Sequence, residues 1–238
     1  MSGHSKWATT KHKKAIVDAK RSASFTKLAN IVTIAARKGG DPGTNFSLRL
    51  AIEKAKAASM PKENIERALR RAQGKLGDDL SEIIYEGYGP GGAAILIECL
   101  TDNKLRTVGN IRSTFNKFGG ALAEAGSVAY LFEKIGQFIV NSADSELTQE
   151  QIEETILESG ADDYELDDGL YIVYTSVNNF ISVAKHLEEA GVKIDSSNII
   201  WEPKIRTAVA EDNQSSLEKL LEILENDDDI NQVFTNAE

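Results

Sequence analysis

The chain has 238 residues, 41% of them hydrophobic, with a mean hydropathy of −0.29; no apolar run approaches the roughly 18 residues that span a bilayer, which argues against a membrane protein. A single cysteine, Cys99, rules out an intramolecular disulfide, and the first residues, MSGHSKWATTKHKK, lack the apolar stretch of a secretory signal, so a reducing cytoplasm is the expected location. The formal charge of −10 is unevenly placed: residues 1–75 hold 17 Lys plus Arg against 5 Asp plus Glu, and residues 76–238 hold 10 against 32, a split of +12 and −22. Such segregation marks a polyanion-binding module joined to an acidic remainder.

In chain order, Phe25, Leu28, Val32 and Ala35 recur at three- and four-residue spacing within 18–38, which predicts an amphipathic helix stopped by Gly39-Gly40. Leu48, Ile52 and Ala55 predict a second helix from about Ser47. A third follows Pro61, with Ile65, Ala68, Leu69 and Ala72 inward and Gly74 at its end. Past Gly77 the period changes to short apolar runs at 83–88 and 93–100, separated by GPGG, which predicts two strands and a turn. A helix over 104–118 and a strand over 127–133 are expected next. The spans 137–141, 150–158, 164–166, 170–175, 180–190 and 193–201 then read as strand, helix, strand, strand, helix, strand, the split βαβ, ferredoxin-like order. Asp167-Asp168-Gly169 supplies the turn of its central hairpin, and a tail helix at 215–225 and strand at 232–235 would complete the middle layer. The expected fold class is therefore multidomain α and α+β. It comprises an N-terminal basic helical bundle (1–77), a discontinuous middle α/β domain (78–134 with 205–238) and a ferredoxin-like acidic domain inserted into it (135–204).

The strongest constellation is Lys6, Trp7, Lys11, His12, Lys13 and Lys14, continued by Lys20 and Arg21 and then by the helical cations Lys27, Arg37, Lys38, Arg67, Arg70 and Arg71. Lysine and arginine bind phosphates without reading sequence, and an indole can stack on an unpaired base; Trp7 either stacks in this way or folds back onto the helices. Arg67, Arg70 and Arg71 share one helix face by the i, i+3, i+4 rule. A second candidate contact comprises Tyr85, Tyr88, Asp102, Asn103, Lys104 and Arg106. Tyr85 and Tyr88 face opposite sides of a strand, Asp102 or Asn103 is placed to cap the helix, and Lys104 and Arg106 occupy a first turn, where cations call for a nearby anion such as phosphate.

Other chemistry finds little support in the residues. His4, His12 and His186 have no partner at metal-ligand spacing, and the acidic stretches 146–158, 162–168 and 222–229 lack an EF-hand ligand series, so no catalytic residue, metal or cofactor is expected. The glycine-rich YEGYGPGG lacks a P-loop ending and reads as a hairpin turn. An acidic surface repels nucleic acid and leaves the later domains for protein contacts, with ribosome or transcription machinery as candidates.

Several long motifs resemble the YebC/PmpR family: SGHSKW at 2–7, KHKKA at 11–15, FTKL at 25–28, AARKGGDP at 35–42, MPKENIERA at 60–68, YEGYGPGG at 85–92, ECLTDNKLRT at 98–107 and GSVAYLFEKIG at 126–136. Ala8-Thr9-Thr10 and Ala121 depart from its usual pattern. The resemblance implies the three-domain layout above and a non-enzymatic role. Members are described as probable DNA-binding transcriptional regulators, whereas the mitochondrial branch resembles translation factors that meet ribosomal or transfer RNA. Basic helices with a tryptophan-bearing arm suit structured RNA at least as well as a duplex.

Overall fold

The computed structural model describes residues 25–74 and 80–238, and its contacts divide the chain into two units. Among the described residues there are seven α-helices and two four-stranded sheets, a mixed α/β architecture. None of these helices is long and apolar enough to cross a membrane.

The first unit comprises the described residues of Met1–Gly40, Ala51–Glu133 and Pro203–Glu238. Helix α1 (Phe25–Arg37) buries Leu28, Val32, Ala35 and Ala36, the spacing legible in the sequence. It packs against α3 (Lys62–Ala72), which buries Ile65 and Ala68. Thr33 lies fully buried between them; its hydroxyl donates to its own helix at Ala29 O (2.8 Å) and to Ala68 O across the gap (3.2 Å). Pro61 takes the cap position one residue before α3. Helix α2 (Phe46–Ala57) lies between them in sequence.

Strands β1 (Ser81–Tyr88) and β2 (Ala94–Thr101) form an antiparallel hairpin, paired from Ser81 with Thr101 to Tyr88 with Ala94. The intervening GPGG is a single turn with Gly91 and Gly92 at positive φ. Helix α4 (Lys104–Lys117), β3 (Ala121–Ala123), β4 (Phe132–Asn141), α7 (Glu211–Asn226) and β8 (Ile230–Thr235) follow, and the first sheet runs β3-β1-β2-β8. Its core joins Ile95, Ile97 and Cys99 to Ile111 and Phe115 of α4 and to Leu217, Leu220, Leu221 and Leu224 of α7. Gly87 permits that approach: a Cβ there would stand 2.6 Å from the Phe115 ring.

Two expectations need correction here. The predicted strand at 127–133 is instead a short 3₁₀ turn, Ala129–Leu131, followed by a strand that begins at Phe132 and continues unbroken to Asn141. The three-residue β3 was not foreseen.

The second unit comprises Asp41–Leu50 and Lys134–Glu202. Most of β4, α5 (Gln149–Glu158), β5 (Asp163–Asp167), β6 (Leu170–Ser176), α6 (Phe180–Glu189) and most of β7 (Ser196–Pro203) build it, with sheet order β5-β6-β4-β7. Phe138, Val140, Tyr171 and Val173 pack with Ile152 and Ile156 of α5 and Val183, Ala184 and Leu187 of α6. A capping box between Thr148 and Gln151 starts α5. Asp168 and Gly169, both at positive φ, close the β5-β6 hairpin as the sequence predicted.

Candidate nucleic-acid interface

The cations expected to bind nucleic acid fall into two groups once their surroundings are known. Lys6, Trp7, Lys11, His12, Lys13, Lys14, Lys20 and Arg21 lie outside the described residues. On α1, the Lys27 ammonium donates to the carbonyl of Glu225 in the last turn of α7, where the helix dipole favours a cation. Asn30, buried beside it, donates to the carbonyl of Asp228 at 3.2 Å. At the far end of α1, Arg37 pairs with Glu82 (2.6 Å) and donates to Leu80 O (2.7 Å). These contacts tie α1 to the α/β layer. Lys38, Arg67 and Arg70, by contrast, are exposed, and Arg70 makes only a long 3.4 Å bond back to Glu66 O of its own helix. Arg71 is half-buried and lines a cleft, so it does not share the exposure of Arg67 and Arg70.

That cleft, about 490 Å³ in volume, lies between Asn30 of α1, Arg71 of α3, Arg106 and Asn110 of α4, and the aspartates at 227–229 that join α7 to β8. An ordered ion-pair network forms its α4 side. Arg106 binds both oxygens of Asp229 at 2.8 to 3.1 Å and reaches Asp102 at 3.0 Å. The hydrogen bonds it donates to Asp229 and then to Asp102 raise the arginine's pKa above its usual value. The buried Thr107 hydroxyl is shared among Thr101 Oγ1 (2.8 Å), Asn103 O (3.0 Å) and Asp229 Oδ2 (2.9 Å). Leu100 N donates to Asp229 O at 2.9 Å, fixing the loop to β2. The residues of LTD…LRT thus fasten the 227–229 loop from one side, while Lys27 and Asn30 hold its neighbourhood from the other.

The second group of sequence candidates therefore has internal roles. Asn103 is the cap of α4, its Oδ1 accepting from Arg106 N at 3.1 Å. The anion that justifies a cation in the first turn is the protein's own Asp229 with Asp102. Tyr85 is half-buried against the first core and its hydroxyl donates to Lys104 O at 3.4 Å; the more exposed Tyr88 donates to Ser127 O at 2.9 Å. Lys104 alone of these six is exposed without a side-chain partner among the described residues.

Sequence reasoning passed over Glu86, the second residue of YEGYGPGG. Only 5% exposed, its carboxylate accepts from the backbone N–H groups of Gly126 (2.6 Å), Val128 (2.7 Å) and Ala129 (2.9 Å). Burial pushes its pKa up, but the three amide bonds outweigh burial and hold it below the ordinary value of 4.5. This clasp explains why 127–131 is a loop. The available signal was a glutamate inside the apolar run 83–88. Cys99, 3% exposed, has its thiol pKa pushed up by burial first and by Asp227, Asp229 and Glu98 next, which makes it a packing residue and not a nucleophile. Among the described residues no group of three His, Cys, Asp or Glu side chains is arranged to hold a metal ion.

Comparisons with known proteins fit the motifs named above. Residues 5–75 match the TACO1/YebC protein N-terminal domain, and residues 80–237 match the TACO1/YebC second and third domain. A probable transcriptional regulatory protein of Caldanaerobacter subterraneus subsp. tengcongensis is 46% identical over 240 residues, covering 100% of this chain and 98% of that one. One from Geobacter sulfurreducens is 48% identical over 238 residues, covering 99% and 95%. The crystal structure of a conserved hypothetical protein from Aquifex aeolicus superposes with a TM-score of 0.85 at 42% identity, over 98% of this chain and 97% of that one. On the strength of both matched segments and these full-length relatives, the chain belongs to the TACO1/YebC family.

Proposed function

We propose that this protein is a non-enzymatic, nucleic-acid-binding regulator of gene expression that grips a phosphate backbone through its N-terminal basic module and acts in transcription, as the names of its relatives suggest. The carrying observation is the separation within that module: with Lys27 and Arg37 committed to holding α1 in place, Lys38, Arg67 and Arg70 remain outward, on a segment of net +12. The layout is one of a basic module (1–77), a middle α/β domain and a ferredoxin-like acidic insertion (135–204) that is left for protein partners in the cytoplasm. A regulator of one promoter binds it at least about a thousandfold more tightly than scrambled duplex. Fluorescence anisotropy of the full chain with both DNAs tests this, and equal affinities contradict it.

A second reading, a translation factor bound to ribosomal or transfer RNA, is favoured by one packing fact. In a helix-turn-helix reader the recognition helix rests on the helix before it; here α3, which follows α2 after four residues, packs against α1. Exposed arginines then contact backbone without entering a major groove, a mode suited to structured RNA. Cosedimentation with ribosomes that is lost in Arg67→Glu with Arg70→Glu supports this reading; cosedimentation unchanged by that pair removes α3 from it.

A further inference from the structure

The acidic remainder of the chain contains one helix that breaks its rule. Residues 76–238 carry 32 carboxylates and 10 cations, yet α4, KLRTVGNIRSTFNK, holds four of those cations (Lys104, Arg106, Arg112 and Lys117) and no carboxylate. Helical geometry sorts them. Thr107, Ile111 and Phe115 are buried against the sheet and α7, so the opposite face, centred on Gly109, Ser113 and Asn116, points outward; all three are exposed. Arg112 and Lys117 flank this line on opposite sides, about 7.5 Å apart along the axis. Both are exposed, and Lys117 leans over the Phe118 ring at 5.4 Å. Arg106 is held away by Asp102 and Asp229 and takes no part.

Gly109 is the second observation. Glycine is, after proline, the poorest helix former, and here it occupies the middle of an exposed helix face. A Cβ added at Gly109 would meet nothing within 4 Å, so the packing of the fold does not call for a glycine at this position. A residue that weakens the helix without easing any internal contact is accounted for by something outside that comes close to the helix backbone. From Gly109 onward, one turn past the exposed Leu105, the outward face combines a shallow floor at Gly109 and Ser113, hydroxyl and amide donors at Ser113 and Asn116, and a cation on each rim. That combination complements an extended polyanion.

We propose that the outward face of α4 is a second nucleic-acid contact, with the sugar–phosphate backbone lying over Gly109 and Ser113 between Arg112 and Lys117. The site rests on the nucleic-acid reading above and extends it beyond the basic module.

The test uses the full chain with two labelled probes of about 20 base pairs, a mixed-sequence DNA duplex and an RNA hairpin, long enough to span several phosphate contacts. Arg112→Gln with Lys117→Gln is expected to weaken binding tenfold or more and to flatten the log–log salt dependence for the duplex by about 1.8, roughly 0.9 for each lost phosphate contact. Gly109→Leu, which changes no charge, is expected to weaken binding at an unchanged salt slope. Melting temperatures of the charge variants should stay near that of the parent, because these side chains touch little of the fold, and that of Gly109→Leu should stay level or rise by a few degrees, since leucine is the better helix former. Lys219→Gln on α7 is the control and should bind as the parent does. If the parent binds and both α4 variants match it, the α4 site is overturned while the nucleic-acid reading stands. If Lys219→Gln loses as much as the double variant, the effect is long-range charge and the site is overturned. If the parent binds neither probe, both the site and the reading it rests on fall. Whichever probe shows the larger α4 effect identifies DNA or RNA as the source of the backbone.

Discussion

Helices α1 and α3 belong to the same basic module, yet their cations do opposite things. Lys27 and Arg37 of α1 are spent on the protein's own groups, Lys27 on the Glu225 carbonyl and Arg37, at the surface, on Glu82 and the Leu80 carbonyl, whereas Arg67 and Arg70 of α3 stand in solvent. The difference arises because α1 lies against both α3 and β8, whose neighbourhood offers carbonyls and a carboxylate to its cations, while Arg67 and Arg70 are exposed on α3. Counting lysines and arginines locates a basic module; only their partners separate the charges that build it from those that can meet a ligand. The same division recurs on α4, where Arg106, though exposed, is paired with Asp229 and Asp102 and Arg112, among the described residues, is not.

The sharpest way to break this comparison is through the inward charges, which should affect stability and leave binding alone. Glu86→Ala removes a buried carboxylate and strands three amides, and should cost about 3–4 kcal/mol in urea unfolding. Because the pKa of Glu86 is lowered on folding, its contribution is fully present above the unfolded value of 4.5 and is lost as pH falls through the lower folded value. The stability difference between parent and Glu86→Gln should therefore shrink below about pH 4.5; a difference constant from pH 7 to pH 3 would contradict the clasp. Asp229→Ala deprives the buried Thr107 hydroxyl and Arg106 of their shared acceptor and should cost about 2 kcal/mol. The outward charges should show the reverse pattern. Arg67→Glu with Arg70→Glu should lower nucleic-acid affinity about tenfold or more while stability stays within about 0.5 kcal/mol of the parent. Smallest of all, Arg37→Ala breaks a partly exposed pair and should cost no more than about 1 kcal/mol, with affinity unchanged.

Local features of the fold were legible in the sequence. The i, i+3, i+4 spacing of Leu28, Val32 and Ala35 predicted the buried stripe of α1, and Asp168-Gly169 predicted the hairpin turn, because both depend on neighbours a few residues away. Gly136 falls between the spans 127–133 and 137–141, which the sequence presents as two strands and the fold joins from Phe132 in β4. It lies mid-strand because a Cβ would stand 2.5 Å from the Phe180 ring, a constraint set by a residue 44 positions later. β3, with three residues, is too short to show alternation.

The candidate site was legible as a charge excess and illegible as a surface. Lys27 finds its partner 198 residues away and Arg37 finds Glu82 45 residues away, and no periodicity encodes such pairings. Asn103, one of the two residues expected to cap α4, does so, but the anion beside Arg106 is not a phosphate: Asp229 lies 123 residues further on. The absence of carboxylates from 104–117 was readable from the start, set against 32 in the same part of the chain.

The central claim is that outward cations on α3 bind nucleic acid while the inward cations of α1 hold the fold. Its most direct measurement is the salt dependence of nucleic-acid affinity for the parent, for Arg67→Glu with Arg70→Glu, and for Arg37→Ala. The account predicts a steep slope for the parent, a slope reduced by about 1.8 for the α3 pair, and a parental slope for Arg37→Ala. A parent that does not bind, or an α3 pair with the parental slope, would contradict it.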